Sequence, residues 1–502
     1  MSLESWLEPL PDAAQMRATD AWAIEERGVP SIELMERAGA GLATLAAELA
    51  GDGCIVVVAG KGNNAGDGLV AARLLREAGR SVDVVSAGEL SALAGDAAVN
   101  LERLPGEAPS RLDAGITAAP ALVIDALLGT GASGAPRGEI AAAIAAIAAC
   151  GAAAVLAADV PSGVDASSGE VAGDAVAASA TATFHAAKLG LWIEPGRSHA
   201  GDVRVIDIGI PDGGPAQAEI GLIRDRVLDL VPRRERGSTK FTSGRVLVAG
   251  GSAGLTGAPS LAALAAARAG AGYVTVCVPS SLSLVFETRL LEAMTLAVAD
   301  ADGAHSADGV AAVVEAAAAR GGALVVGPGL GRSDGARDFA HGVLETVEVP
   351  VVLDADGLNA FAGDAAALRG HAAVLTPHAG ELGRLLGVAS EEVERSRLRF
   401  ARDAAALSGG VVVLKGDDTI VAAPHGPVAI SPGASAALAT AGTGDVLSGV
   451  IAAMLAKGLD PFLAACAGVR LHALAGIAAA DARGSVEGVI ASDVIEALAG
   501  VR

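Results

Sequence analysis

The chain has 502 residues and a formal net charge of -22 at pH 7, which argues against nucleic acid or an anionic membrane as its main partner, because both are polyanions. Hydrophobic residues make up 52% of it but aromatic ones only 2%, so its core is built from Ala, Val, Leu and Ile packed around 66 glycines, with backbones in close approach. The length accommodates about three average domains or two large ones.

Glu4 and Glu8 precede any hydrophobic run, so the N-terminus lacks the basic and apolar regions of a signal peptide. Cys54, Cys150, Cys277 and Cys466 are far apart and form no C-x-x-C pair. A reduced, cytoplasmic protein is expected.

Apolar strand-like runs then recur between alanine-rich helical segments, at Ile55 to Ala59, Val82 to Val85, Leu122 to Ile124, Val155 to Ala158 and Val203 to Ile206. This is the rhythm of a parallel sheet covered on both faces. Ile140 to Ala158 is uncharged and nearly long enough to span a bilayer, but it is mostly alanine and broken by Gly151. It reads as a buried helix followed by a strand, and no membrane is expected. A breaker cluster at Pro211 to Pro215 and the charged Arg233 to Arg236 mark a domain boundary. A second α/β series follows, with strands at Arg245 to Ala249, Val274 to Val278, Leu324 to Val326, Val351 to Leu353, Ala373 to Leu375 and Val411 to Leu414.

In the first series, the strand Ile55 to Ala59 opens onto Gly60-Lys61-Gly62-Asn63-Asn64-Ala65-Gly66-Asp67-Gly68. The paired asparagines exclude both G-x-G-x-x-G and a P-loop, and they suggest polar readout or a cation. The next strand ends in Asp125 and leads to Gly129-Thr130-Gly131-Ala132-Ser133-Gly134, and a third ends in Asp159-Val160-Pro161-Ser162-Gly163. Ligands lie at the carboxyl ends of such strands. Asn64, Asp125, Asp159 and Ser162 therefore form an oxygen set suited to a hard cation, Mg²⁺ or K⁺. Simple helix capping explains any one of them, but less readily all three loops together.

With Leu34-Met35-Glu36-Arg37-Ala38-Gly39 and Lys188-Leu189-Gly190-Leu191 added, residues 10 to 212 resemble the NAD(P)H-hydrate epimerase family, known as YjeF N-terminal domains. The resemblance implies a Rossmann-like domain, taken as residues 1–215, with K⁺ on Asn64, Asp125 and Ser162. It implies substrate contacts at Asn63, Asn64, Ala65, Gly66 and Asp67, at residues 129 to 135 (Gly129, Thr130, Gly131, Ala132, Ser133, Gly134, Ala135), and at Asp159, the candidate acid/base. Ala65 replaces a usual glycine and Arg37 stands where many members carry Asn; neither removes a side chain the chemistry needs.

In the second series the strand Arg245 to Ala249 opens onto Gly250-Gly251-Ser252-Ala253-Gly254-Leu255-Thr256-Gly257-Ala258-Pro259. Gly327-Pro328-Gly329-Leu330-Gly331, Asp354-Ala355-Asp356-Gly357-Leu358-Asn359, Thr376-Pro377-His378-Ala379-Gly380-Glu381 and Lys415-Gly416-Asp417-Asp418-Thr419 each follow a strand and point at one edge. The last of these is also what an ordinary hairpin turn looks like. Finally Thr440-Ala441-Gly442-Thr443-Gly444-Asp445 opens an apolar helix, a glycine loop that binds an oxyanion through backbone N–H groups and the helix N-terminus. Asp445 would repel that anion unless it has a task, such as taking a proton from an attacking hydroxyl.

Together these motifs resemble the ribokinase-like superfamily, in its ADP- or ATP-dependent NAD(P)H-hydrate dehydratase branch, over residues 225 to 500. The resemblance implies a ribokinase-like domain at 225–502, so that the chain comprises two three-layer α/β/α domains. It puts the hydrated dinucleotide at Ala258, Gly329, His378 and Asp445, and the adenine nucleotide at Lys415, Gly416, Asp417, Asp418, Thr419 and Gly444, with Mg²⁺. The Ser238 to Gly244 lead-in departs from the family's His-Lys-Gly, which leaves Lys240 without a role.

The expected chemistry is repair of hydrated nicotinamide dinucleotides. The R and S forms of NADHX or NADPHX are epimerised, and the S form is dehydrated with ADP or ATP, giving AMP or ADP and phosphate. Asp445 is the expected base, and a homo-oligomer is expected. The alternative is a hydroxymethylpyrimidine or sugar kinase with an N-terminal nucleotide-binding or protein-interaction module, distinguished by accumulation of a phosphorylated product.

Overall fold

A computed structural model describes residues 3–112, 115–116, 119–215, 218–320, 322–371 and 373–501. The outer limits of the two expected domains, 1 and 502, lie outside the described residues. The chain divides into two units, Pro9–Ile220 in the first and Glu4–Glu8 with Gly221–Arg502 in the second.

Side chains alternate across a strand, and the first unit uses both faces. Ile55, Val57 and Ala59 enter one apolar core, while Val56 and Val58 enter another on the opposite side. The strands of this part of the chain are β1 (Leu7–Pro9), β2 (Ile55–Ala59), β3 (Val82–Ser86), β4 (Ser110–Arg111), β5 (Leu122–Ala126), β6 (Ala154–Ala158), β7 (Ala180–Phe184) and β8 (Asp202–Ile206). They run in the order β4-β3-β2-β5-β6-β7-β8 as an all-parallel sheet, without β1. The chain runs outward from β2 through β3 to β4, then returns to place β5 on the other side of β2. That reversal opens a crevice at the carboxyl ends of β2 and β5, where the asparagine loop and the loop after Asp125 both lie. The uncharged stretch from Ile140 is the helix Gly138–Ala149 followed by β6, as expected.

The second unit's strands are β9 (Ile220–Ile223), β10 (Arg245–Ala249), β11 (Tyr273–Pro279), β12 (Met294–Val298), β13 (Asp300–Ala301), β14 (Ala304–His305), β15 (Ala323–Val326), β16 (Val351–Leu353), β17 (Val374–Leu375), β18 (Val411–Leu414), β19 (Ile420–Ala422) and β20 (Val428–Ile430). The main sheet is ordered β1-β9-β20-β19-β18-β17-β16-β15-β10-β11-β12, parallel from β18 to β12 and antiparallel through β18, β19 and β20. Every residue of β15 to β18 is buried, which requires helices on both faces. Both units are thus three-layer α/β/α folds.

Residues 4–8 fall in the second unit and β1 in its sheet, whereas the expected domain 1–215 includes them. A three-residue strand carries no periodicity to announce its partner.

Close backbone approach follows from the glycine content. A Cβ on Gly449, in the helix Thr443–Ala456, would lie 2.0 Å from the carbonyl oxygen of Ala262 in the helix Gly257–Arg268. Only glycine lets these helices touch. Among the described residues one helix, Pro461–Arg483, is long and apolar enough to cross a membrane, and 67% of its apolar window is buried inside the fold, as in a core helix.

Candidate functional site

The first unit has a cavity of about 790 Å³ at the β2/β5 crevice. Asn63, Asn64, Asp67, Gly129, Thr130, Gly131, Ala132 and Asp159 line it. Ala65, Gly66, Ser133, Gly134 and Ala135 do not line it. Ala65 belongs to the apolar core, and a Cβ on Gly66 would meet the Met35 side chain at 2.6 Å. The reason is helical geometry: the asparagine loop is already the first turn of the helix Asn63–Glu77, so its residues point in different directions.

The Asn64, Asp125 and Ser162 set is assembled. Asp125 is fully buried on β5 and accepts from the Ser162 hydroxyl at 2.7 Å, the Ser162 N–H at 2.8 Å and the Leu127 N–H at 3.2 Å. Burial pushes its pKa up to about 6 against those hydrogen bonds. Asn64 donates through Nδ2 to the Leu128 carbonyl at 2.8 Å, which leaves its buried Oδ1 without a partner among the described residues.

Asp159 follows β6 with a left-handed φ of 67° and forms an ion pair with Lys188, which is 1% exposed. Asp20 lines the same cavity. Asp20 escaped sequence reading because nothing around it in the helix Ala13–Glu25 marks it, whereas Lys188 stood in a recognised motif without an assigned task.

In the second unit the glycine loop opens the helix Thr443–Ala456 with Gly442 at φ 93°, a left-handed turn that favours glycine. The first turn of that helix carries Asp445. Asp354, at the end of β16, accepts from Lys415 at 3.0 Å and from the Ser448 hydroxyl, while Glu381 lies 3.6 Å from Lys415. A Cβ on Gly444 would sit 3.4 Å from Lys415 Nζ, so loop, lysine and carboxylates converge. Burial first, then the negative charge of Asp354, raises the Asp445 pKa to about 7, against the opposing pull of Lys415. Burial works against the Lys415 charge, but Asp354 and Glu381 outweigh it and raise its pKa. Sequence reading named the segments carrying Asp354 and Glu381 but assigned neither residue a role.

His378 caps the helix Ala379–Leu386, its Nδ1 accepting from the Gly380 N–H at 3.0 Å, and burial lowers its pKa. Ala258 and Gly329 are neighbours, since a Cβ on Gly329 would lie 3.4 Å from that of Ala258. Residues 415–419 form the turn of the β18–β19 hairpin. Within it the Thr419 hydroxyl donates to the Gly416 carbonyl at 2.6 Å, and Asp418, fully buried, pairs with Arg397 at 2.8 Å. The Asp418 carboxylate is therefore turned inward and engaged by Arg397. Lys415 and His378 line a separate cleft of about 600 Å³ with Arg395 and Glu394.

Residues 246–499 match the family described as NAD(P)H-hydrate dehydratase, and residues 31–190 match the YjeF-related protein N-terminus. The bifunctional NAD(P)H-hydrate repair enzyme of Moorella thermoacetica is 40% identical, over 97% of this chain and 96% of its own. That of Salinibacter ruber is 39% identical, over 98% and 96%. Among solved structures, an ADP/ATP-dependent NAD(P)H-hydrate dehydratase from Bacillus subtilis, co-crystallised with ATP and Mg²⁺, is 30% identical over 55% of this chain and 95% of that chain, with a TM-score of 0.47.

Proposed function

The chain belongs to the family of bifunctional NAD(P)H-hydrate repair enzymes, and we infer from that premise how its two sites divide the work. It is an enzyme of nicotinamide nucleotide repair, with epimerase and dehydratase activities. The first unit carries the epimerase site, with Asp159 as acid/base, and the second carries the dehydratase site, with Asp445 as base. The observation supporting this reading is that Asp445 stands half-buried in the first turn of the helix that the glycine loop opens, where partial burial and the neighbouring Asp354 raise its pKa to about 7, near the optimum for a general base.

Water added across the nicotinamide C5–C6 bond leaves a hydroxyl on C6, and hydroxide is a poor leaving group. Asp445 takes the hydroxyl proton as the oxygen attacks the terminal phosphoryl of ADP or ATP. Backbone N–H groups of the Gly442 to Gly444 loop hold the developing charge. The N1 lone pair then expels phosphate from C6, and loss of a C5 proton restores the dihydronicotinamide. Base and donor sit on one face of the ring, so the S epimer alone is dehydrated and the epimerase supplies it from the R form.

Among the described residues no group of three or more His, Cys, Asp or Glu is preassembled for a metal. Asp354, Glu381 and Asp445 nevertheless outnumber Lys415, a surplus that fits Mg²⁺ shared with nucleotide phosphates. Asp354 and Glu381 would hold it, and it would neutralise phosphoryl charge. In the first unit the unpartnered Asn64 Oδ1, with Asp125 and Ser162, fits K⁺, which would tie the loops after β2, β5 and β6 together.

A cytoplasmic location is supported by four free cysteines. A homo-oligomer is supported by the exposed Leu284 and Leu291 on the second unit. The test of function supplies mixed NADHX epimers, ADP or ATP, and Mg²⁺. Recovered absorbance of the reduced nicotinamide with release of phosphate is expected, whereas an accumulating phosphorylated compound would identify a kinase instead.

A further inference from the structure

Asp20, Asp67 and Asp159 share one cavity, and Lys188 is the one buried cation among its described lining residues. Lys188 is fully committed. Its three N–H groups go to Asp159 Oδ1, to Thr183 Oγ1 at 3.0 Å and to the Phe184 carbonyl at 2.7 Å, so none remains for a ligand. Asp159 in turn takes all its hydrogen bonds on Oδ1, from Lys188, from the Phe184 N–H at 3.2 Å and from the Thr183 hydroxyl at 3.4 Å. Its Oδ2 accepts none from any described residue.

Asp67 is the opposite case. It enters the cavity from the helix Asn63–Glu77, is 9% exposed, and its carboxyl has no hydrogen bond or ion pair with any described residue. A carboxyl buried without a donor holds its proton. Burial first, and then the charge of Asp159, raises its pKa well above the ordinary value.

We propose that Asp67 and Asp159 are the paired acid and base of the epimerisation, Asp67 serving one face of the hydrated ring and Asp159, through Oδ2, the other. The proposal rests on the epimerase reading of the first unit and makes Lys188 the residue that positions Asp159. The Asp67 proton passes to the C6 hydroxyl, the C6–O bond breaks to release water, and the N1 lone pair forms a C6=N1⁺ double bond. Water adds to C6 from the other face, the C6=N1 π electrons return to N1, and the surplus proton goes to Asp159 Oδ2. The reverse conversion starts from that protonation state, with Asp159 as acid and Asp67 as base.

The test uses the full chain, separated R and S epimers of hydrated NADH, and water enriched in ¹⁸O, without nucleotide. Absence of interconversion by the wild type would overturn the epimerase reading, and this proposal with it. Given interconversion, Asp67→Asn is expected to lower kcat by at least about 100-fold while binding of NADHX, by equilibrium dialysis, stays within about threefold. Weakened binding with turnover kept would reduce Asp67 to a contact and overturn the proposal. If Asp67→Asn does not bind, Asp67→Glu decides: turnover restored by the carboxyl supports the proposal, and none overturns it. Each epimerisation should place a solvent oxygen on C6, and retention of the original oxygen would overturn the C6–O cleavage.

Discussion

Lys188 and Asp159 form an ion pair inside the first unit in which the ammonium has no donor left for anything else. The lysine is thus a support for the carboxylate. Lys188→Met would leave the Asp159 charge without its counter-ion, held only by the Phe184 N–H and the Thr183 hydroxyl, at a cost of about 3–5 kcal/mol. We expect an earlier urea midpoint for the first unit and a fall in epimerase kcat larger than any change in KM, with dehydration of the pure S epimer retained. Equal loss of both activities would contradict separate sites.

Asp445 must be ionised to take a proton, and its pKa is raised to about 7. For the dehydration, kcat/KM should therefore drop about tenfold per pH unit below that value and level off above it. Asp445→Asn should cost about 10²–10⁴ in kcat and leave epimerisation untouched. A flat profile between about pH 6 and pH 8 would remove Asp445 from the role of base.

Asn64 offers Oδ1 with no partner among the described residues while its Nδ2 is anchored on the Leu128 carbonyl. Exchange of K⁺ for a bulky organic cation should slow epimerisation and leave the first unit folded. Asn64→Ala should raise the K⁺ needed for half-maximal rate by about tenfold or more. An epimerase indifferent to K⁺, in wild type and variant alike, would exclude the cation from this set.

Gly449 sits where a Cβ would lie 2.0 Å from the Ala262 carbonyl. Gly449→Ala forces the helices Thr443–Ala456 and Gly257–Arg268 apart and should cost about 1–3 kcal/mol, read as a lower Tm for the second unit. Because Asp445 rides on the first of these helices, dehydratase kcat should fall with it. An unchanged Tm would show that the contact yields without cost.

Much of the fold is legible in the sequence because parallel strands buried on both faces read as unbroken apolar runs. Ile55–Ala59, Val351–Leu353 and Val411–Leu414 are bounded as the sequence suggests. Strand β7, Ala180–Phe184, is not legible, because Thr181 and Thr183 break the apolar run although both are fully buried. Their hydroxyls find partners only after folding, Thr181 on the Ala200 carbonyl at 2.6 Å and Thr183 beside Lys188. The same limit explains the carboxylate of Asp418: only the fold brings up Arg397, 21 residues away, to pair with it.

By itself the sequence determined what is local: strand and helix identity from hydrophobic periodicity, the glycine loops from the need for left-handed or unobstructed backbone, and the acids and amides carried at strand ends. It could not assign protonation, because a carboxyl's pKa depends on burial and on charges brought near by folding. Asp67 meets the field of Asp159 across the first cavity, and Asp445 that of Asp354, whose partner Lys415 is 61 residues away along the chain. Tertiary structure alone decided which way the pKa of each of these acids moves, because it alone sets the dielectric and the neighbours.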